Sequence, residues 1–544
     1  MRPRSMLSQA GMSSSTLVMT NTEALDEGRW TTTGSSPTLL RTSLADTERG
    51  CSPTVDKHID FWAASQDDLD TIMAAHPLPP TRQDRLAVSS FELWSAYRML
   101  FLLVFSTNMA VLAAFLVPTS SISADLTSPN VATAAASNLL VAIMARNEHV
   151  VNLLFRSAVG VPFWVPLCIR SYSAKVYSYG GVHSGCAVAA VAWYVAYVGL
   201  VTRATVLGQE NQGVVALAYC ILSLLVSISV FAHPTIRIRH HNLFELVHRF
   251  AGWTIVVLFW AQTLLVAALQ ARRTASSFHR TIIKTPVFWL LIIITLLIAY
   301  SWLRLRRRSV RAEYLSSHAV RLHFDYGRRR VCEGVRLADR PLKETHSFAV
   351  IANPDGQKGF SIIVSNAGDW TSRLIRNPPS QIWVRGSPTI GMLHVALAFR
   401  KVVLVTTGSG IGPCLSIFGG RPDYRASIVW SARNPLRTYG EGIVADVLAA
   451  DSGAVILDTR RTGRPDLVRL AYSLYHESSA EAVLVMSNAR VVHGVVSELK
   501  ARGVPALGPI FDSFMERSDL LSGVCLHLKA KEGLTEGVQN IAEE

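Results

Sequence analysis

Six stretches between Ala96 and Leu303 carry almost no charge, and each is about long enough to cross a lipid bilayer. A helix rises ~1.5 Å per residue, so ~20 apolar residues match a hydrocarbon layer ~30 Å thick. The stretches lie at about 96–117, 131–150, 178–201, 214–234, 248–268 and 286–303. They predict a membrane α-helical bundle with soluble flanks rather than one large soluble core. Composition agrees: 49% of the 544 residues are hydrophobic and only 17% charged, with the apolar ones concentrated between Phe91 and Leu303. The semi-apolar piece from Val150 to Ile169 carries Arg156, Pro162 and Pro166, and reads as an interfacial segment.

The net charge of +14 gathers beside these stretches, as at Arg304, Arg306, Arg307, Arg308 and Arg311. Such placement suits anionic lipid and cytosolic retention better than nucleic acid, for which the chain has no motif. Arg170, Lys175, Arg237 and Arg239 then mark cytosolic loops, and both termini are expected in the cytosol. The loop with Arg272, Arg273, Arg280 and Lys284 runs against that rule. Arg146, Glu148 and His149 are costly in lipid, so they are expected to pair with each other or to face headgroups. Seven cysteines, at 51, 168, 186, 220, 332, 414 and 525, form no CxxC pair, which fits a reducing compartment for the soluble part.

Residues 1–90 are rich in Ser and Thr and read as a disordered tail, with 91–310 the membrane domain. Arg2 and Arg4 hint only weakly at a transit peptide. Beyond Arg311, short alternating runs at Val320, Ser347, Phe360 and Gln381 predict an antiparallel β-barrel over 311–397. From 398 to 513 apolar strands alternate with helical segments, beginning at Val402, Ala426, Ala454 and Ala482. That order predicts an α/β domain with a parallel sheet. Residues 514–544 form a C-terminal tail.

The clearest soluble motif is Gly408-Ser409-Gly410-Ile411-Gly412-Pro413, directly after an apolar strand. Glycines there let backbone approach a pyrophosphate, and the following helix offers free N–H groups. A tight strand-to-helix turn that needs glycine only for packing is the alternative. Arg433 follows the second strand, where a guanidinium could fork onto a 2′-phosphate and favour NADPH over NADH, with Arg460, Arg461 and Arg464 nearby. In the barrel, His346-Ser347-Phe348-Ala349 opens a strand whose backbone could line a flat aromatic ring. Gly368-Asp369-Trp370-Thr371 begins a helix whose N–H groups could meet phosphate.

His183 and His248 open two of the apolar stretches. Bis-histidine ligation by this pair would hold one haem b near one membrane face. A second haem needs ligands ~13–14 residues further on, ~20 Å up each helix. Those positions hold Ala196 and Tyr197, and Ala261 and Gln262. Two hydrogen-bonded core histidines with no haem are the alternative.

Spans, barrel and sheet together resemble the ferric reductase and NADPH oxidase superfamily. The phrases Arg146–Phe155, Ala174–Gly185 and Pro509–Ser513 are similar to fungal TmpA-type transmembrane flavoproteins, and to modules ending some adenylate-forming synthetase-like proteins. The resemblance covers about 90–513. It implies a ferredoxin-reductase-like module in which FAD lies near His346–Ala349 and Gly368–Thr371, with Asn488 and Asp512 near the cofactors. This chain has Ser347 where the family has Pro, two haem histidines where the family has four, and Met486-Ser487-Asn488 where reductases carry a Cys-Gly-Pro-like motif. The resemblance implies an NAD(P)H-dependent FAD oxidoreductase with an unidentified small-molecule acceptor and little outward electron transfer. A low-turnover redox sensor or a tailoring oxidoreductase of secondary metabolism stays open beside it.

Overall fold

The computed structural model describes residues 66–80, 95–116, 127–353 and 357–509. Most of the expected N-terminal tail, the C-terminal tail and Asp512 lie outside the described residues.

Helix α1 (Gln66–Ala75) falls within the stretch expected to be disordered. Its Leu69 is buried in one face of the C-terminal α/β core, and Ile72 and Met73 pack beside it. Pro79 accepts a 2.9 Å hydrogen bond from Arg502 Nε, and His76 meets the His476 ring at 5.6 Å. This corrects the tail boundary: 66–80 is a docked strap. Ten residues with a short apolar stripe are too brief a signal to separate from a polar, Ser/Thr-rich background.

The apolar region builds α2 (Ala96–Leu116), α3 (Ser128–Met144), α4 (Glu148–Val159), α5 (Leu167–Ser173), α6 (Gly180–Val206), α7 (Gln212–Ala232), α8 (Pro234–Arg239), α9 (His241–Arg273), α10 (Phe278–Lys284) and α11 (Pro286–Leu303). Five helical segments among the described residues are long and apolar enough to cross a membrane. The pair α3 and α4, bent by 68°, adds a sixth only if counted as one span. Helix α2 meets α6 closely, because Gly181 and Gly185 have no side chain: a Cβ there would press on the backbone at Tyr97 and Phe101.

The second expected stretch, 131–150, stops at Met144. Asn147 is extended (φ −73°, ψ 134°), and its side chain accepts from the N–H groups of His149 and Val150, which starts α4 in a new direction. Helix α4 then leaves the apolar bundle. Val151 and Phe155 are buried in the core of the C-terminal α/β domain, and Asn152 bridges Pro388 O (2.9 Å) and Ile390 N (2.7 Å). Nor do Arg146, Glu148 and His149 pair with each other. Glu148, 1% exposed, pairs with Arg336 and accepts from Ser301 at 2.8 Å. His149 Nε2 bonds Tyr300 at 2.7 Å, and Arg146 lies over the Tyr179 ring. The segment read as interfacial is a clamp between helices and barrel.

Arg170 also differs from its expected place in a solvated loop: it is 3% exposed. Its guanidinium forks onto Glu481 at 2.8 and 2.9 Å and donates to Ala398 O at 2.8 Å. The Arg170 hydrogen bonds hold the Glu481 carboxyl below its ordinary value, against the cost of burial. A depressed carboxylate pKa stabilises the fold above the unfolded value near 4.5 and loses that effect as pH falls through the folded value. Glu481→Gln should cost about 3 kcal/mol at neutral pH, because it leaves Arg170 buried without its partner. In thermal unfolding, the gap between wild type and variant should close below roughly pH 4.5. A gap unchanged across that range would remove Glu481 as its source.

Eight strands follow: β1 (Arg306–Ser309), β2 (Arg311–Tyr314), β3 (Ala319–Phe324), β4 (Glu333–Ala338), β5 (His346–Ala349), β6 (Ile351–Ala352), β7 (Phe360–Ser365) and, after α12 (Asp369–Arg376), β8 (Gln381–Ile390). They form two four-stranded antiparallel sheets, β1-β8-β4-β5 and β2-β3-β7-β6. Alternating Val320, Leu322 and Phe324 stand beside their register partners Val364, Ile362 and Phe360 on the neighbouring strand, and all six point into one apolar core. The C-terminal α/β domain has β9 (Lys401–Thr407), α13 (Ile411–Phe418), β10 (Arg425–Ala432), α14 (Pro435–Ala450), β11 (Val455–Asp458), α15 (Leu467–Glu477), β12 (Ala482–Met486), α16 (Ala489–Lys500) and β13 (Ala506–Leu507). Its parallel sheet runs β11-β10-β9-β12-β13, with β9 central. Val402 and Leu404 fill one face, and Val403 and Val405 the other.

Candidate functional site

Four buried apolar residues, Val402–Val405, carry β9 to the sheet's edge, where Gly408 turns at φ +52°. A residue with a Cβ would be strained there. Gly410 faces a different constraint: a Cβ would overlap the Met486 carbonyl and the Thr406 hydroxyl. The tips of β9 and β12 are tied together. Thr406 Oγ1 donates to Met486 O at 3.0 Å, and the Thr407 and Ser487 hydroxyls are bonded. Trp430 Nε1 fixes the turn through Gly408 O at 2.9 Å. Ser409 is exposed, whereas Ile411 is buried. Gly412 sets α13 against Ile363 of the barrel, 3.5 Å from where its Cβ would be. Pro413 accepts from Ser416. The glycine run therefore serves two purposes: Gly408 opens to a cavity, and Gly410 permits close packing behind it, whereas a Cβ at Gly412 would make only ordinary contact.

That cavity measures about 3370 Å³. At one end Thr407, Gly408, Arg433, Arg437, Arg460 and Asn488 line it, with Arg464 and Arg490 beside them. Arg461 is not on its wall. The other end reaches the feet of the apolar helices at Arg146, His183, Arg237, Glu245 and His248. Glu245 is the single carboxylate among the described lining residues. Such a wall favours a polyanion.

Asp458, buried at the end of β11, escapes sequence reading. Its Oδ1 accepts from Asn434 N (2.7 Å) and Arg460 N (2.9 Å), holding both arginine-bearing loops in place. Asn434 itself is left-handed (φ 48°) and caps α14. Only an acid at the end of a strand, followed by Arg460 and Arg461, could have marked it. Asn488 lines the cavity, but its side-chain oxygen is committed to Val491 N at 3.0 Å as the cap of α16.

His346, Phe348 and Trp370 are brought together, with ring centres 4.3 Å (His346–Trp370) and 5.9 Å (Phe348–Trp370) apart. His346 Nε2 and Trp370 Nε1 are buried without a hydrogen-bond partner among the described residues. Burial lowers the His346 pKa, with the charges of Glu344 and Glu245 opposing it. Ser347 is exposed and Ala349 half-buried on the same strand; Gly368 and Asp369 are exposed at the start of α12. The Thr371 hydroxyl is already used: it accepts from Ala367 N and donates to Gly368 O, both at 2.9 Å. It shapes the turn, leaving only backbone groups of that turn for an anion. None of these residues lines the large cavity.

His183 and His248 face one another across the lower bundle, with ring centres 6.3 Å apart and planes at 54°. His183 Nδ1 is bonded to Ala142 O at 2.8 Å, which leaves Nε2 available. Imidazole–metal bonds of about 2 Å on each side give roughly this separation. His248 Nδ1 is buried without a partner. Higher in the bundle the matching positions are filled. Tyr194 stacks on Tyr197 at 5.4 Å, meets Phe259 edge-on at 5.2 Å, and donates to Gln262 Oε1 at 2.8 Å. No cysteine lines the cavity among the described residues. Burial pushes the Cys332 and Cys414 thiols up to about 12, so both are inert packing groups.

Residues 392–513 match the family described as adenylate-forming reductase 03009, C-terminal domain. The chain is 38% identical over 485 residues to adenylate-forming reductase 03009 of Coprinopsis cinerea, covering 88% of this chain and 46% of that protein. Adenylate-forming reductase 06235 of the same organism is 38% identical over 479 residues, covering 88% of this chain and 45% of that protein. The chain thus spans about half the length of the curated relatives it matches. Among solved structures, a ferredoxin NADP+ reductase from Neisseria gonorrhoeae with bound FAD and NADP is 14% identical. It covers 38% of this chain and 99% of that one at a TM-score of 0.31. Phthalate dioxygenase reductase is also 14% identical, covering 37% of this chain and 64% of that one at a TM-score of 0.29.

Proposed function

We propose that this chain is a membrane-bound flavoprotein oxidoreductase of the ferric-reductase-like kind. It takes hydride from NADPH onto FAD, holds at most one haem, and has its flavin domain and termini in the cytosol. One observation carries the reading: a single cavity runs from the glycine turn and its arginines to the histidine pair. The name adenylate-forming reductase, borne by the relatives, supports a reductase.

Bound FAD would supply the hydride acceptor. The residues around it have separate tasks. Gly408 and the free end of α13 would receive a dinucleotide diphosphate. Arg433, with Arg460 and Arg464 across the same end, would hold a 2′-phosphate. The unpaired His346 Nε2 and Trp370 Nε1 suit the polar edge of a flavin lying along the ring stack, since those rings are too close for a slot between them. Arg146 lines the cavity with both histidines, where a cation would offset carboxylates of a macrocycle. Lipid would surround the exposed faces of α2, α6, α7, α9 and α11.

Purified protein should consume NADPH with quinone, ferricyanide or oxygen as acceptor. Arg433→Ala should weaken NADPH by about 1.5–3 kcal/mol and spare NADH, the expected loss of a charged hydrogen-bond partner. Equal losses for the two cofactors would remove the 2′-phosphate role. A second reading, a redox sensor with little turnover, draws on Met486, which stands where the resemblance puts the Cys of a Cys-Gly-Pro-like motif. Flavin that co-purifies yet consumes no NADPH with any of the three acceptors would favour the sensor.

A further inference from the structure

Below the last apolar helix, a second cavity of about 290 Å³ opens between α11 and the barrel. Five arginines line it, Arg304, Arg306, Arg308, Arg329 and Arg385, and no Asp or Glu does. None of the five has an ion-pair partner among the described residues. Aromatic rings hold four of them: Arg304 over Tyr300, Arg308 over Tyr326 at 4.4 Å, Arg329 over Phe360 at 4.5 Å, and Arg385 over Trp302 at 4.8 Å. Arg329 Nε and Arg385 Nε are buried with no acceptor. Burial, together with the neighbouring charges of Arg336 and Arg249, lowers the Arg385 pKa to about 10. Arg306 Nη1 donates to Leu303 O (2.8 Å) and Leu305 O (2.9 Å), which fixes its side chain at the rim. Converging cations without a carboxylate partner call for a polyanion of headgroup size.

We infer that this pocket binds the phosphomonoester headgroup of an anionic membrane lipid. A phosphomonoester carries nearly two charges and three acceptor oxygens at neutral pH, a better match to five guanidiniums than a diester with one charge. The lipid source follows from place. Arg304 and Arg306 stand directly after Leu303, the end of α11, so the pocket would open at headgroup depth. This rests on the membrane reading above. Arg385 also lines the large cavity, so an occupied headgroup site would share a wall with the redox site.

The test uses the full chain in nanodiscs of phosphatidylcholine doped with either phosphatidic acid or phosphatidylglycerol, with retained lipid counted by mass spectrometry. Wild type should retain phosphatidic acid over phosphatidylglycerol. Arg308→Gln/Arg329→Gln should lose roughly 10-fold or more of that retention. Arg304→Gln, at an exposed position, provides a milder variant should the double one not fold. Equal retention of the two lipids would reduce the effect to surface charge and overturn the proposal. So would equal retention by wild type and both variants. Displacement by soluble glycerol phosphate as readily as by lipid would make this a free-phosphate site instead. A chain that stays outside the nanodiscs would fail the membrane reading itself, a separate readout from lipid retention.

Discussion

Gly410→Ala should sharply lower NADPH-dependent turnover while leaving the barrel and helices folded. The added methyl falls on the Met486 carbonyl, a backbone atom of β12, and on the Thr406 hydroxyl that is itself bonded to that carbonyl. Neither atom is the loose end of a flexible side chain. Relief requires β9 and β12 to part at their tips, which breaks the Thr406 bond and the Thr407–Ser487 link. Overpacking of this kind costs about 1–3 kcal/mol, and here the whole displacement lands on the turn that would face the diphosphate. Turnover should drop by roughly 5- to 150-fold, since each 1.4 kcal/mol corresponds to one order of magnitude. Gly442→Ala provides the control. Nothing lies within 4 Å of a Cβ there, and its helical site gains from alanine. If both variants turn over NADPH equally, Gly408–Gly412 is a packing turn and no nucleotide approaches it.

How legible this was depended on the range of the forces involved. Val402–Val405 could be read as a buried strand because a central parallel strand is apolar on both faces, and glycine straight after it has few other uses. The barrel strands at Val320 and Phe360 showed through their alternation. Strand β4 did not, because Val335 and Leu337 are its only large apolar side chains and a register shift interrupts its pairing. The arginine run at 304–311 looked like a membrane-edge loop, yet Arg306–Ser309 pairs with β8 as a strand. Charge pattern reports surroundings, not backbone pairing. Least legible were long-range polar contacts. Arg170 meets Glu481 across 311 residues, and Glu148 meets Arg336 across 188. No local pattern encodes either partner. The same holds for Asp458, whose role appears only once two loops are seen to converge on its carboxylate.

At most one haem should bind per chain, between His183 and His248. The two rings stand 6.3 Å apart, and His183 is oriented by Ala142 O so that its other nitrogen faces the gap. Hydrogen bonding of one imidazole nitrogen is the usual means of fixing the ligating one. His183→Ala should therefore abolish the Soret band, and His248→Ala should do the same, while flavin absorbance stays. The half of the bundle away from the histidine pair offers no equivalent among the described residues. Tyr194, Tyr197, Phe259 and Gln262 fill it with side chains in mutual contact, and Gln262 is spent on Tyr194 and on Val214 O. A second macrocycle would need those four side chains to move and would still lack a histidine. Under the proposed function, electrons delivered to that haem would face an aromatic plug, and extracellular ferricyanide reduction should stay near background. Reductive titration of detergent-solubilised protein decides the matter. Two haems per chain would contradict this packing. No haem, with intact flavin, would make His183 and His248 ordinary core residues and put the electron acceptor at the large cavity.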